Sequence, residues 1–192
     1  MQLWLLNIKN TISKERTCAI SHKINKMPGY VIHLAVGKIY EKNNKIKNIS
    51  SFRKGLIAPD MSDDSPKAHY GTSSSQPDLK RFLSENNDFD EYKEGYFLHL
   101  VTDYLFYNCF LKTWSPSIYE DYDKLNEVLI QQYGIEIPEE ITHIVKTRSG
   151  EPEILDEDAI VAFINAVGKI DIRGMLQRGN IDFENEILMD CK

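Results

Sequence analysis

The chain has 192 residues, of which 42% are hydrophobic and 27% are charged, and its formal net charge is −6. These values are typical of one globular domain, and they exclude a disordered chain, a collagen-like chain and a helix of about 18 apolar residues that could cross a membrane. The excess of acidic residues argues against non-specific binding to nucleic acids and to anionic lipid surfaces.

The first 26 residues differ in composition from the rest of the chain. The apolar run at residues 3–6 is too short for the core of a signal peptide, and residues 13–26 are polar and basic. We expect residues 1–26 to form a poorly packed N-terminal extension, with a short peripheral membrane anchor as the alternative. A single domain over residues 27–192 would follow.

Hydrophobic residues recur at helical spacing through this domain, and strictly alternating strand patterns are nearly absent. The sequence therefore predicts an all-α, single-domain helical bundle. The predicted helices cover residues 28–42, 52–58, 78–85, 91–111, 118–133, 138–147, 156–167, 169–178 and 182–189. Residues 91–111 are apolar on nearly every face and are expected to form the central buried helix. Residues 60–77 read as a long irregular loop, which in a compact domain is usually functional or disordered.

The three cysteines are Cys18, Cys109 and Cys191, and none of them forms a CxxC pair. This pattern argues against a disulfide framework and against a cysteine-based zinc site. Because Cys109 lies in an apolar stretch, we expect it to be a small buried hydrophobic side chain. The pattern favours a reducing compartment, so it predicts a cytoplasmic location.

His99 and Asp103 are the first candidate metal ligands. They are four residues apart, so on a helix they lie on one face and can bind one ion. They also lie in the middle of the apolar segment 91–111, where a carboxylate must be paired or neutralised. On this segment alone, His99 and Asp103 could equally well be two metal ligands or a buried hydrogen-bonded pair.

Three further residues are candidates because of their surroundings. Asp60 follows a helix that Pro59 ends, His69 lies nine residues later in the predicted loop, and His33 lies among apolar residues of the first helix. Each has an ordinary alternative: a turn aspartate, an exposed loop histidine and a core histidine, respectively.

Four other polar residues are not expected to be ligands. His22 lies in the polar extension, and His143 has no acidic residue four positions later. Asp63 and Asp64 are expected to be solvated charges of the loop.

The order of the candidates, together with their neighbours, resembles the zinc-dependent phospholipase C family. The matching segments are Met27-Pro28-x-x-x-x-His33, Gly55-x-Ile57-Ala58-Pro59-Asp60 and Gly95-Tyr96-x-x-His99-Leu100-x-x-Asp103. The resemblance covers roughly residues 27–112 and is closest to the short bacterial members. It implies the helical fold that this family shares with the P1-type nucleases, with a metal site between helices.

The resemblance also implies a ligand set. Asp60, His69, His99 and Asp103 would hold one metal, while His33 and Asp103 would contribute to a second, with Asp103 bridging the two. The secreted members bind three zinc ions and carry a His-xxx-Glu pair after the central helix, which this sequence lacks. We therefore expect one or two ions.

This ligand chemistry predicts a hydrolase. Histidine and carboxylate ligands suit Zn²⁺, and also Mn²⁺, Fe²⁺ or Ni²⁺. The chain has no GxSxG motif and no cysteine in a basic setting, so we expect metal-activated water rather than a covalent nucleophile. Asp60 is the expected catalytic residue, orienting or deprotonating that water. The expected substrate is a phosphoester small molecule or a phospholipid, and nucleic acid is not expected.

Three alternatives to this function remain open. One is a non-catalytic helical domain with a structural metal, and another is a nuclease of the same fold. A phosphohydrolase of the HD type is disfavoured, because the sequence has no His-Asp dipeptide. Three late aromatic residues either line an apolar mouth for lipid or belong to the core: Trp114, Tyr119 and Tyr122. The sequence does not specify an oligomeric state.

Overall fold

The computed structural model describes residues 29–178, which form one all-α domain with eight α-helices. The helices are α1 (Tyr30–Asn43), α2 (Ile49–Ile57), α3 (Ser65–Ala68), α4 (Leu79–Glu85), α5 (Glu91–Leu105), α6 (Ile118–Tyr133), α7 (Glu157–Val167) and α8 (Ile172–Arg178). A π-helical turn at Phe106–Phe110 continues α5, and a 3-10 turn lies at Glu139–Ile141. The all-α prediction is confirmed, since the only β pairing in this part of the chain is an isolated bridge between Ser73 and Gln76.

The predicted elements need three corrections. The segment 60–77 is not wholly irregular, because α3 lies within it. The predicted helix 91–111 changes to π-helical geometry after Leu105, and the predicted helix 138–147 is reduced to the 3-10 turn. The extension 1–26 and the predicted helix 182–189 lie outside the described residues.

Most helices begin at a side chain that caps them. At five helices an Asn or Asp accepts a hydrogen bond from a backbone N–H three residues later, which satisfies one of the free donors of the first turn. These caps are Asn48, Asp64, Asp78, Asp90 and Asp156. Gly134 ends α6 in the left-handed conformation.

The centre of the domain is the close crossing of α2 and α5. Gly55 and Gly95 lie at this crossing, and both are buried. A Cβ atom on Gly55 would collide with the carbonyl oxygen of Tyr92, and one on Gly95 would collide with that of Phe52. The two helix backbones can approach this closely only because both residues lack a side chain. Helix α5 is buried along most of its length, which confirms the prediction of a central helix.

Buried Asp121 on α6 fixes the loop that precedes α7. Its carboxylate accepts hydrogen bonds of 2.6–3.0 Å from the backbone N–H groups of Glu153, Ile154 and Leu155. Three backbone donors satisfy a carboxylate that would otherwise be costly to bury. The loop is therefore held against α6.

Cys109 lies in the π-helical turn, is half-buried and is disulfide-bonded. It lines an apolar groove instead of lying inside the core. The expectation of a simple buried hydrophobic side chain is therefore wrong.

No helix among residues 29–178 is both long and apolar enough to cross a membrane.

Replacing Gly55 or Gly95 with Ala is expected to lower the free energy of unfolding by about 3 kcal/mol or more, because two backbones must move apart and overpacking typically costs about 1–3 kcal/mol even where side chains can adjust. Urea unfolding measures the loss. The exposed neighbour Lys54 provides the control, since K54A should change stability by no more than about 0.5 kcal/mol. Equal effects at Gly55 and Lys54 would contradict the close crossing.

Candidate metal centre

The five residues predicted to be ligands meet at one buried point. His33 comes from α1, Asp60 from the turn after α2 and His69 from the end of α3, while His99 and Asp103 lie on successive turns of α5. All five are between 0 and 2% exposed. Residues from four parts of the chain therefore place three imidazoles and two carboxylates together.

Backbone carbonyl groups orient two of the imidazoles. The Nδ1 atom of His99 lies 2.8 Å from the carbonyl oxygen of Leu56, and that of His69 lies 2.7 Å from the carbonyl oxygen of Ser65. A ring nitrogen beside a carbonyl must donate, so Nδ1 carries the proton and the lone pair of each neutral ring lies on Nε2. Metal-bound histidines are usually held in this way.

The distances between the inward-facing atoms are nearly equal. His69 Nε2 lies 3.5 Å from Asp60 Oδ1 and 3.1 Å from Asp103 Oδ2. His99 Nε2 lies 3.2 Å from each of the same oxygens, and the two Nε2 atoms are 3.3 Å apart. Four ligands about 2.0–2.1 Å from one ion in tetrahedral directions are about 3.3 Å from one another. Five of the six edges between these four atoms thus match a tetrahedral site.

A hydrogen-bonded His–Asp cluster fits these atoms less well. Charged N–H···O bonds are normally about 2.7–2.9 Å long, whereas every N···O distance here is 3.1 Å or more. Within residues 29–178, none of the four carboxylate oxygens of Asp60 and Asp103 has a hydrogen-bond partner. Two buried carboxylates without such partners are very costly unless a cation neutralises them. The four residues Asp60, His69, His99 and Asp103 could therefore hold a divalent metal ion.

His33 faces the oxygen atoms that lie outside this tetrahedron. Its Nε2 is 3.3 Å from Asp103 Oδ1 and 3.9 Å from Asp60 Oδ2. Its ring stacks on that of His99, with ring centroids 3.8 Å apart. Neither ring nitrogen of His33 has a hydrogen-bond partner in the described part of the chain. His33 and these two oxygens form a second, less complete group of potential ligands.

The charges of the site strongly shift the pKa values of its members. Burial opposes the charged form of His99, but Asp60 and Asp103 outweigh burial and raise its pKa to about 10. The same balance raises the pKa of His69 to about 9. Burial, together with the nearby His99, lowers the pKa of His33. Without a metal, the imidazoles of His69 and His99 are therefore doubly protonated and positively charged at neutral pH, while that of His33 is neutral.

The residues that were not expected to be ligands lie away from this cluster. His143 and Asp63 are exposed, and the exposed Asp64 caps α3. His22 lies outside the described residues. The three late aromatic residues divide between surface and core: Trp114 is 51% exposed, Tyr119 is half-buried and Tyr122 is buried in the core.

Several groups that hold the ligands in place were not predicted from the sequence. Asp64 followed by Ser65-Pro66 is a helix-start signal, and the short helix that it starts carries His69. The Tyr30 hydroxyl donates to the carbonyl oxygen of Asp60 at 2.9 Å. The carbonyl groups that orient the imidazoles have no signal in the sequence, because every residue has one.

Comparisons with known proteins do not identify a family. No family model matches the chain, and searches of curated proteins and of solved structures find no match. The phospholipase C resemblance therefore stays a prediction from the sequence motifs.

Metal binding should release protons, because the imidazoles of His69 and His99 must become neutral to act as ligands. We expect binding of one Zn²⁺ to release about two protons, so that affinity rises with pH until the pH approaches the pKa values of these residues. Calorimetry in buffers with different ionisation enthalpies measures the number of protons. A count near zero would contradict the charge state derived above.

Replacing His99 with Ala should weaken zinc binding by about 100-fold or more, since loss of an outer-sphere partner alone typically costs about 10- to 100-fold. The exposed His143 is the matched control, and H143A should bind zinc like the wild type. Competition with a chromophoric chelator measures both affinities. If the two variants bind zinc equally well, the ion is not held at this cluster.

Proposed function

We propose that this protein is a metal-dependent phosphoester hydrolase of the phospholipase C type. The observation that carries this proposal is the meeting of all five residues that the sequence resemblance implies, although they come from four separate segments. Zn²⁺ is the favoured ion, because two imidazoles and two carboxylate oxygens in tetrahedral directions suit it. Mn²⁺, Fe²⁺ or Ni²⁺ would also be compatible with these ligand types.

The proposed ligand assignment uses the two groups of atoms separately. Asp60 Oδ1, His69, His99 and Asp103 Oδ2 hold the first ion, and His33 with Asp103 Oδ1 contributes to a second. When bound, such ions supply a water of lowered pKa, toward about 7, and a positive charge beside phosphoryl oxygens.

The charge balance of the site favours an anionic substrate. Asp60 and Asp103 together carry two negative charges, and His33 stays neutral. One divalent ion makes the cluster neutral, whereas two give it a charge of +2. A centre of that charge attracts a phosphoester anion despite the net charge of −6 of the whole chain.

Asp60 is the proposed catalytic base. Its Oδ1 lies 3.5 Å from His69 Nε2 and 3.2 Å from His99 Nε2, while its Oδ2 lies 3.9 Å from His33 Nε2 and has no hydrogen-bond partner within residues 29–178. Because Oδ2 has no hydrogen-bond partner, it can accept a hydrogen bond from the attacking water, orient that water and take up its proton. The Tyr30 hydroxyl bound to the Asp60 carbonyl holds this residue in position.

A structural metal in a non-catalytic domain is the second candidate function. Five of the six distances between the ligand atoms of the first group fit a tetrahedron, and the four residues are almost fully buried, which is typical of structural sites. His33 distinguishes the two candidates, since a structural site of four ligands has no need of a fifth ligand-type side chain at 3.3 Å from Asp103.

The proposed substrates are phosphoester small molecules or phospholipids, and nucleic acid is not expected. The cytoplasmic location stays a prediction, and the disulfide at Cys109 counts against it because disulfides persist mainly in oxidising compartments.

Protein loaded with zinc is expected to hydrolyse bis-p-nitrophenyl phosphate or phosphatidylcholine in vesicles, and a chelator should abolish the activity. D60N keeps an oxygen ligand but loses the base, so kcat should fall by about 100- to 10,000-fold. H33A should lose the second ion and activity while keeping the first ion. Metal content is measured on the same samples.

H143A again provides the matched control and should keep full activity. A stoichiometry of one tightly bound ion in wild type and H33A alike, with no hydrolysis of either substrate, would favour the structural metal and overturn the hydrolase proposal.

A further inference from the structure

The segment from Asp60 to His69 carries two of the four ligands of the proposed first ion. None of residues 61–68 is buried, although the short helix α3 lies among them. The other two ligands, His99 and Asp103, lie on the long buried helix α5. Segments with few buried contacts open most easily. The segment therefore needs other contacts to hold its ligands in place.

Two hydrogen bonds of His69 stay within this segment. Its Nδ1 lies 2.7 Å from the carbonyl oxygen of Ser65, and its backbone N–H donates to the same oxygen at 2.9 Å. Because Ser65 belongs to α3, these bonds fix the ring relative to α3 but do not attach α3 to the helices around it. One backbone bond of 3.2 Å, from the N–H of Asp78 to the carbonyl oxygen of His69, links the segment to the residue that caps α4.

Tyr96 attaches the segment to α5. Its hydroxyl donates a hydrogen bond to the carbonyl oxygen of Ala68, the residue before His69. Tyr96 is three residues before His99, so the two side chains are neighbours on the surface of α5. Burial raises the pKa of the Tyr96 hydroxyl, which therefore stays protonated and able to donate at neutral pH. One hydrogen bond thus joins the segment that carries His69 to the helix that carries two other ligands.

The chain turns directly after His69 in a strained conformation. Tyr70 has a φ of 58°, the only positive φ of a residue other than glycine within residues 29–178. This left-handed conformation is unfavourable for a bulky side chain and persists only where surrounding contacts enforce it. The Tyr70 ring packs edge-on against the rings of Phe82 and Tyr96, with centroids 5.0 and 6.1 Å away. Tyr96 therefore contacts the residues on both sides of His69.

We propose that Tyr96 is a positioning residue for the metal site: by binding the Ala68 carbonyl, it keeps His69 on the ion and slows release of the ion. This role rests on the proposed function, of which it requires the metal site but not the hydrolysis. An ion in a buried centre leaves only after a ligand has moved away. His69 lies at the end of an exposed segment, so removing the Tyr96 hydroxyl should let it leave the ion more often.

The aromatic ring of Tyr96 has a separate role in packing. It stacks on the buried ring of Phe82, with centroids 5.6 Å apart and an angle of 17° between the planes. The test must therefore keep the ring and remove only the hydroxyl, as Y96F does. Tyr92 lies one turn earlier on the same helix and is 38% exposed. Y92F is thus the matched control, because it removes the same atom from an exposed ring.

Stopped-flow measurement of zinc release into an excess of chelator tests the role of Tyr96. We expect Y96F to release zinc about 3- to 10-fold faster than the wild type, the factor that corresponds to the net contribution of one typical hydrogen bond. Y92F should release zinc at the wild-type rate. A second control, I164V, removes one carbon from a fully buried side chain on α7, which carries no ligand. It should lower stability, measured by urea unfolding, without speeding release.

The outcomes separate this role from the proposed function. Equal release rates from Y96F and Y92F would overturn the role of Tyr96 and leave the proposed function intact. Release that is as fast from I164V as from Y96F would also overturn it, since zinc loss would then follow overall stability. Faster release from Y96F alone, in a protein that hydrolyses neither substrate, would support the role of Tyr96 while the hydrolase proposal fails. A wild type that binds no zinc would overturn both.

Discussion

The structure depends on how two negative charges are accommodated in a closed interior. Asp60 and Asp103 are nearly inaccessible to solvent, and their oxygens have no hydrogen-bond partners within residues 29–178. Mutual repulsion and lost hydration would make this arrangement very unfavourable without a compensating charge. Protonated His69 and His99 supply that charge in the metal-free state, and we propose that a divalent ion replaces those protons. The same atoms thus account for the proton-binding and the proposed metal-binding behaviour.

The helix crossing at the centre of the fold positions this cluster. Because Gly55 and Gly95 let α2 and α5 touch through their backbones, the Leu56 carbonyl comes within 2.8 Å of His99 Nδ1. That contact turns Nε2 of His99 toward Asp60, which follows directly from the end of α2. The packing of α2 against α5 therefore also sets the orientation of His99 and Asp60. Substitutions at Gly55 or Gly95 should affect both the packing and the site.

The fold class and the candidate ligands could be predicted from the sequence, because each has a local signal. His99 and Asp103 stand out because they are polar residues in an apolar segment. Asp60 stands out because it follows the proline that ends a helix. The short helix before His69 and the π-helical turn after Leu105 were missed, since few residues form each. The disulfide at Cys109 was missed because pairing depends on proximity in space, for which an odd number of cysteines gives no signal.

X-ray absorption at the zinc edge of protein loaded with one equivalent of Zn²⁺ identifies the atoms that hold the ion. We predict a first shell of two histidine nitrogens and carboxylate oxygens at about 2.0–2.2 Å, with no sulfur. A sulfur shell at about 2.3 Å would instead place the ion on cysteine. A first shell of water oxygens without imidazole scattering would show that the buried cluster does not bind zinc, and would contradict the proposed metal site.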